Sequence, residues 1–335
     1  MNIFVTGATG FVGEQLVRKL AQNPQHQIHI LVRSVPKAQA MFADFGNVIA
    51  FQGDLLETEK IQKAMQNCEQ VYHLAAQAKV WDENPHSFYE MNVQGTLNIV
   101  QTAIKLGVKR AVLTSTAGVL GASLNGEITT ENSPLRVPLS TEYEKTKAQA
   151  EAEVQKLLDK GLEIIIVNPT RVYGGGQRSQ SNAVTMLLEK YAQGKWRILP
   201  GNGNKVGNYV YIDDVVQGHI LAMEKGKNGE RYILGGENVS YNELFALFAE
   251  ITGKKRWLLP LPVAVMNGFA QLQMLKTRLT GSAPLITPAF VKKYLYDWRV
   301  SSRKAEQELG YTITPLKIGL QKTWQWLKEV GSQKV

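Results

Sequence analysis

The chain has 335 residues, 44% of them hydrophobic and 20% charged, the balance of a globular protein with room for about two domains. Its single cysteine, Cys68, excludes an internal disulfide, argues against a cysteine metal cluster and fits a reducing compartment as a small core residue, so no metal is expected. The net charge of +9 comes from Lys and Arg scattered along the chain rather than striped with aromatics, which argues against nucleic acid and suits an anionic, phosphorylated ligand.

Met1-Asn2 runs straight into the apolar Ile3-Phe4-Val5, too short for a secretory core and without a basic start. No uninterrupted apolar run reaches about 18 residues, so no transmembrane helix is expected and the reading is cytoplasmic. Strand-like runs follow at 2–6, 28–32, 48–52, 70–74, 109–115 and 162–168. Helical periodicity fills the gaps near 11–22, 35–44, 58–67, 85–106 and 141–160. This alternation predicts an α/β doubly wound parallel sheet of the Rossmann type, and Leu162-Glu163-Ile164-Ile165-Ile166-Val167 reads as a strand buried on both faces. After Pro169 the pattern loosens into short strands (209–212, 231–234) and helices (181–192, 214–225, 240–252, 302–309, 315–329). Residues 1–170 are thus expected to form the dinucleotide-binding domain. Residues 171–335 should mainly form a smaller substrate-capping region, with about 209–235 returning to the main domain.

The first strand ends in Thr6-Gly7-Ala8-Thr9-Gly10-Phe11-Val12-Gly13 and a helix follows at once. Glycines allow a tight turn and close backbone approach to a pyrophosphate, and the helix N-terminus offers unpaired N–H groups. An acidic residue at the end of the second strand would bind a ribose 2′-hydroxyl; here that strand ends in Arg33-Ser34, with Lys37 one turn on and the next acid only at Asp44. Arg33 can fork onto a 2′-phosphate, so NADP(H) is expected over NAD(H). Further on, Tyr143-Glu144-Lys145-Thr146-Lys147 sets a phenol and an ammonium four residues apart, on one helix face. A neighbouring cation favours the phenolate, and bringing a tyrosine from ~10 to neutral pH takes about 4 kcal/mol. The preceding strand ends in the hydroxyl-rich Thr114-Ser115-Thr116.

Together these strings resemble the extended short-chain dehydrogenase/reductase superfamily, the NAD-dependent epimerase/dehydratase family. The match lies nearest its bacterial dihydroflavonol-4-reductase-like and hopanoid-associated sugar epimerase branch. Gly53-Asp54-Leu55, His73-Leu74-Ala75-Ala76, Asn92-Val93-Gln94-Gly95-Thr96-Leu97-Asn98 and Asn168-Pro169-Thr170-Arg171-Val172-Tyr173-Gly174 match other family motifs, and the likeness is loosest over 255–300. It implies that Gly7, Thr9, Gly10, Phe11, Val12, Arg33, Ser34, Lys37, Asp54, Leu55, Ala75, Ala76, Pro169 and Val172 bind the dinucleotide, together with Tyr143 and Lys147. It also implies that Thr116, Tyr143 and Lys147 are catalytic. Thr116 hydrogen-bonds the substrate carbonyl, Tyr143 moves its proton, and Lys147 holds the nicotinamide ribose; many members carry Ser where Thr116 stands. Asn92 is a further catalytic candidate, with capping or core packing as the favoured reading.

The implied activity is an NADPH-dependent interconversion of a ketone or aldehyde and an alcohol on a relatively apolar small molecule, like dihydroflavonol reductases or hydroxysteroid dehydrogenases. One alternative is a nucleotide-sugar epimerase or dehydratase with retained NAD; another is a non-catalytic redox sensor, which would not need Tyr143 and Lys147. Arg171, Gln177 and Arg178 are candidates to meet an anionic substrate or are solvated loop residues. The apolar segment 257–275 reads as a helix packed on the core, with a substrate lid or a weak membrane-surface contact as alternatives. A homodimer is compatible with everything above.

Overall fold

The computed structural model describes residues 1–332. The first six strands are β1 (Asn2–Thr6), β2 (Gln27–Val32), β3 (Val48–Gln52), β4 (Gln70–His73), β5 (Arg110–Thr114) and β6 (Glu163–Pro169). The later ones are β7 (Arg171–Tyr173), β8 (Ile198–Pro200), β9 (Val206–Tyr211), β10 (Arg231–Leu234), β11 (Glu237–Ser240) and β12 (Leu259–Leu261). Seven of them pair in parallel in the order β10-β6-β5-β4-β1-β2-β3. Helices cover both faces, which is why Ile3, Phe4 and Val5 of β1 and Ile164 to Val167 of β6 have no room for polar side chains and are all buried. The strand order reverses on either side of β1, so a crevice opens beyond the C-terminal ends of β1 and β4.

The helix Ile212–Lys225 packs on β5, β6 and the helix Phe11–Ala21, and β10 adds to the edge of the main sheet beside β6. Strand β9 stays out of that sheet because both its edges are taken, by β7 in parallel and β11 antiparallel. The helical stretch expected over 85–106 is divided. Its turn Glu90–Gln94 widens to π geometry, where Asn92 reaches out to bond the Gln77 backbone and Thr146.

The apolar segment after Trp257 departs from the expectation of a helix packed on the core. It forms β12 and the helix Val263–Thr280, which is held by one narrow stripe. Met266 and Ala270 meet Val291 in a small cluster separate from the main core. Val265, Phe269, Leu272, Leu275 and Leu279 are exposed. Among the described residues no helix is long and apolar enough to cross a membrane.

Candidate active site

At Gly7 and Gly13 the glycine loop leaves no room for a side chain. Gly7 turns at φ +73°, and a Cβ there would lie 2.6 Å from the Ala75 nitrogen at the end of β4. A Cβ on Gly13 would lie 2.1 Å from the Gly7 carbonyl oxygen. The Gly10 N–H donates to that same oxygen at 2.9 Å, closing the turn. No side chain caps the helix Phe11–Ala21, so its first N–H groups, those of Phe11 and Val12 included, face outward for an external acceptor. The Phe11 ring itself is buried under Gly176, leaving only its backbone for a ligand. Gln177 donates from Nε2 to the Thr9 carbonyl at 2.7 Å, tying the loop after β7 to the glycine turn.

At the other end of the crevice, the Gly53 N–H donates to the Val32 carbonyl, so Arg33-Ser34 and Asp54-Leu55 leave adjacent strand ends side by side. Arg33 and Lys37 are exposed and make no ion pair with any described residue. The Asp54 carboxylate is fixed in its turn by the Leu56 N–H, Leu55 is buried, and Ser34 caps its helix without a side-chain bond. Ala75 and Ala76 follow β4 without regular structure, the Ala75 N–H donating to Thr6 Oγ1 at 3.3 Å. Pro169 ends β6 buried, and Val172 lies buried in β7. His73 is locked between Thr6 Oγ1 (2.7 Å) and Thr96 Oγ1 (3.0 Å). Burial first, and the Lys147 charge second, push it down to about 3, so it stays neutral and structural.

Tyr143 and Lys147 project from the helix Glu142–Gln155, whose start is set by a capping box between Thr141 and Glu144. The Tyr143 phenol lies toward the Thr116 side chain, whose hydroxyl accepts the Gly118 N–H at 3.1 Å. The expected lowering of the phenol by the neighbouring cation is not what these residues produce by themselves. Burial first and the Glu144 carboxylate second push it up to about 12, against the pull of the Thr116 hydroxyl. Lys147 is pushed down to about 8 by burial, opposed by the Glu151 carboxylate, and its ammonium makes no hydrogen bond to a described residue. Ser115 Oγ is buried beside it with no hydrogen-bond partner among the described residues. A cradle that a Cβ would fill, an unengaged ammonium, an orphaned hydroxyl and two free cations at the β2 end all fit a dinucleotide.

Several contributors lay beyond sequence reasoning. Asn168 donates to the Thr116 carbonyl (3.1 Å) and to Glu151 (2.9 Å), bracing the hydroxyl turn against the Tyr143 helix. Lys293 reaches the buried Glu144 carboxylate from 149 residues away in sequence. Of the three substrate-side candidates, Arg178 pairs with Glu189 at 2.9 Å and Gln177 serves the glycine loop. Arg171 is turned inward, donating to the phenols of Tyr209 (3.1 Å) and Tyr241 (3.2 Å) with no carboxylate partner among the described residues. Cys68 is a core residue whose thiol burial pushes up to about 12.

Residues 3–235 match the NAD dependent epimerase/dehydratase family. Sterol demethylase protein B of Methylococcus capsulatus is 31% identical over 99% of this chain and 99% of its own. The decarboxylating sterol-4-alpha-carboxylate 3-dehydrogenase of Saccharomyces cerevisiae is 28% identical over 98% of both. Among solved structures, UDP-glucose 4-epimerase of Thermotoga maritima superposes with a TM-score of 0.79 at 26% identity, over 98% of this chain and 99% of that one.

Proposed function

This chain belongs to the NAD-dependent epimerase/dehydratase family and is an NAD(P)-dependent oxidoreductase acting on CH–OH groups, and from that premise we propose that it interconverts a ketone and a secondary alcohol on an apolar, ring-bearing substrate, with NADP(H) as the preferred nucleotide. The observation that carries the chemistry is the buried Tyr143 phenol set toward the Thr116 hydroxyl, with Lys147 one turn on and making no hydrogen bond to a described residue. The bound nicotinamide supplies or takes up hydride. Thr116 orients the carbonyl oxygen by donating to it, and Tyr143 delivers the proton to that oxygen in reduction or removes it in oxidation. Because its surroundings keep the phenol neutral through neutral pH, the protonated form needed for reduction is the resting one. Lys147 holds the ribose hydroxyls, and Ser115 lies beside it, free to donate. The apolar substrate class rests on the sterol-named relatives.

Two measurements test the reading. Tyr143→Phe should lower turnover of a cyclic ketone by about 10² to 10⁴ while dinucleotide affinity stays within error; an unimpaired variant would overturn the assignment. For the nucleotide, the unengaged Arg33 and Lys37 and the missing acid after β2 support NADPH binding more tightly than NADH, and Arg33→Asp should abolish or reverse that order. Equal affinities in the unmutated protein would remove the argument.

A further inference from the structure

Half of the large apolar side chains exposed among the described residues, eight of sixteen, fall between Trp257 and Leu285. Val265, Phe269, Leu272, Leu275 and Leu279 recur at helical spacing, at i, i+4, i+7, i+10 and i+14, and so share one face of the helix Val263–Thr280. That face lies away from Met266, Ala270 and Thr277, the residues by which the helix is buried. An outer helix face is ordinarily polar. Here Leu272 is 65% exposed and Leu279 77%, with Trp257 at 72% just ahead of the helix.

The charge around this face is one-sided. Between Glu250 and Asp297 the chain has no acidic residue and seven Lys and Arg. Lys255, Lys276, Arg278 and Lys292 are exposed and form no ion pair with a described residue. A second copy of the chain would have to bring these like charges together. A neutral apolar partner would leave them without counter-charge. A surface that is both apolar and anionic satisfies both halves.

We infer that the segment Lys254–Lys293 seats the protein on an anionic lipid bilayer, with the helix Val263–Thr280 lying in the headgroup boundary. Apolar side chains enter the acyl layer and the cations meet lipid phosphates, the mode open to an amphipathic helix too polar elsewhere to span. The helix packs on the short helices Pro288–Val291 and Lys292–Leu295, and from these Lys293 reaches Glu144, the neighbour of Tyr143. The lipid-facing element and the helix that carries Tyr143 are thus joined through the same few residues, so an element tied to the proposed site would rest on the bilayer, where an apolar substrate resides.

The test is co-flotation of the full chain with vesicles of phosphatidylcholine alone and of phosphatidylcholine mixed with phosphatidylglycerol. It is read without substrate, so its failure is separate from any failure of the proposed activity. Binding to the mixed vesicles should exceed binding to the neutral ones by at least about tenfold at low salt and weaken as salt is raised. Phe269→Ser with Leu272→Glu should cut it by about tenfold or more with circular dichroism and dinucleotide binding unchanged, since both side chains are exposed. Lys276→Glu with Arg278→Glu should act in the same direction with every apolar side chain retained. No preference for the anionic vesicles, or unaltered binding by both variants, would overturn the inference. So would a dimer that Leu272→Glu dissociates in sedimentation while vesicles bind nothing, since a second copy would then be the occupant.

Discussion

At the scale of single residues, Lys147 carries a cost. Burial holds it at about 8, below the usual lysine value. The unfolded chain therefore binds more protons than the folded one between about 8 and 10.5, and folding is favoured as pH rises through that window. Below it the charged, buried ammonium costs on the order of 3 kcal/mol, a stability forgone to hold a cation one helical turn from Tyr143. Lys147→Met should accordingly melt higher than the unmutated protein at pH 7, with the gap closing toward pH 10, while dinucleotide affinity falls. A gap that does not depend on pH would mean that packing, not charge, sets it.

At the scale of elements, the decisive unit is strand, turn and helix from β1 to Ala21. It works because two backbone segments approach closer than any Cβ permits. Gly13→Ala places a methyl 2.1 Å from the Gly7 carbonyl oxygen, a rigid backbone atom that must move. The helix N-terminus then shifts from the pyrophosphate position. Dinucleotide affinity should drop at least about 100-fold, a loss of about 3 kcal/mol, seen directly by fluorescence titration. Gly46→Ala, where a Cβ would meet nothing within 4 Å, is the matched control and should leave affinity unchanged.

At the scale of the molecule, the ion pair of Glu144 and Lys293 joins the helix that carries Tyr143 to the C-terminal elements. Glu144 is 1% exposed, and burial also pushes Lys293 below its usual value against the pull of that carboxylate. Removing one partner strands the other in a dry place. Lys293→Met should destabilise by about 3–5 kcal/mol, and adding Glu144→Gln should restore most of that, because no lone charge is left. Denaturant unfolding of the two single variants and the double variant measures the coupling; simple additivity would show that the two side chains do not depend on each other.

Much of the protein was legible in its sequence because the governing interactions are local. A strand that must be buried on both faces has to read as Ile164-Ile165-Ile166-Val167, a dinucleotide turn has to place glycines at 7, 10 and 13, and a phenol and an ammonium four residues apart must share a helix face. The placing of these segments in one crevice, and the return of β10 to the sheet, follow from alternating strands and helices. Other features depend on contacts that no local pattern encodes. Arg171 read equally as an anionic-substrate contact or a solvated loop residue until Tyr209 and Tyr241 closed over it, and Lys293 reaches Glu144 only because the chain comes back after 149 residues. The elevated Tyr143 proton affinity is a property of burial and of Glu144, which spacing to Lys147 alone could not reveal. The apolar helix after Pro262 shows the same division. Its composition announces a buried element, and periodicity alone cannot say whether a second apolar stripe has a partner. Only the packing of the whole chain, which spends one stripe on Val291 and leaves the other uncovered, decided that this face looks outward.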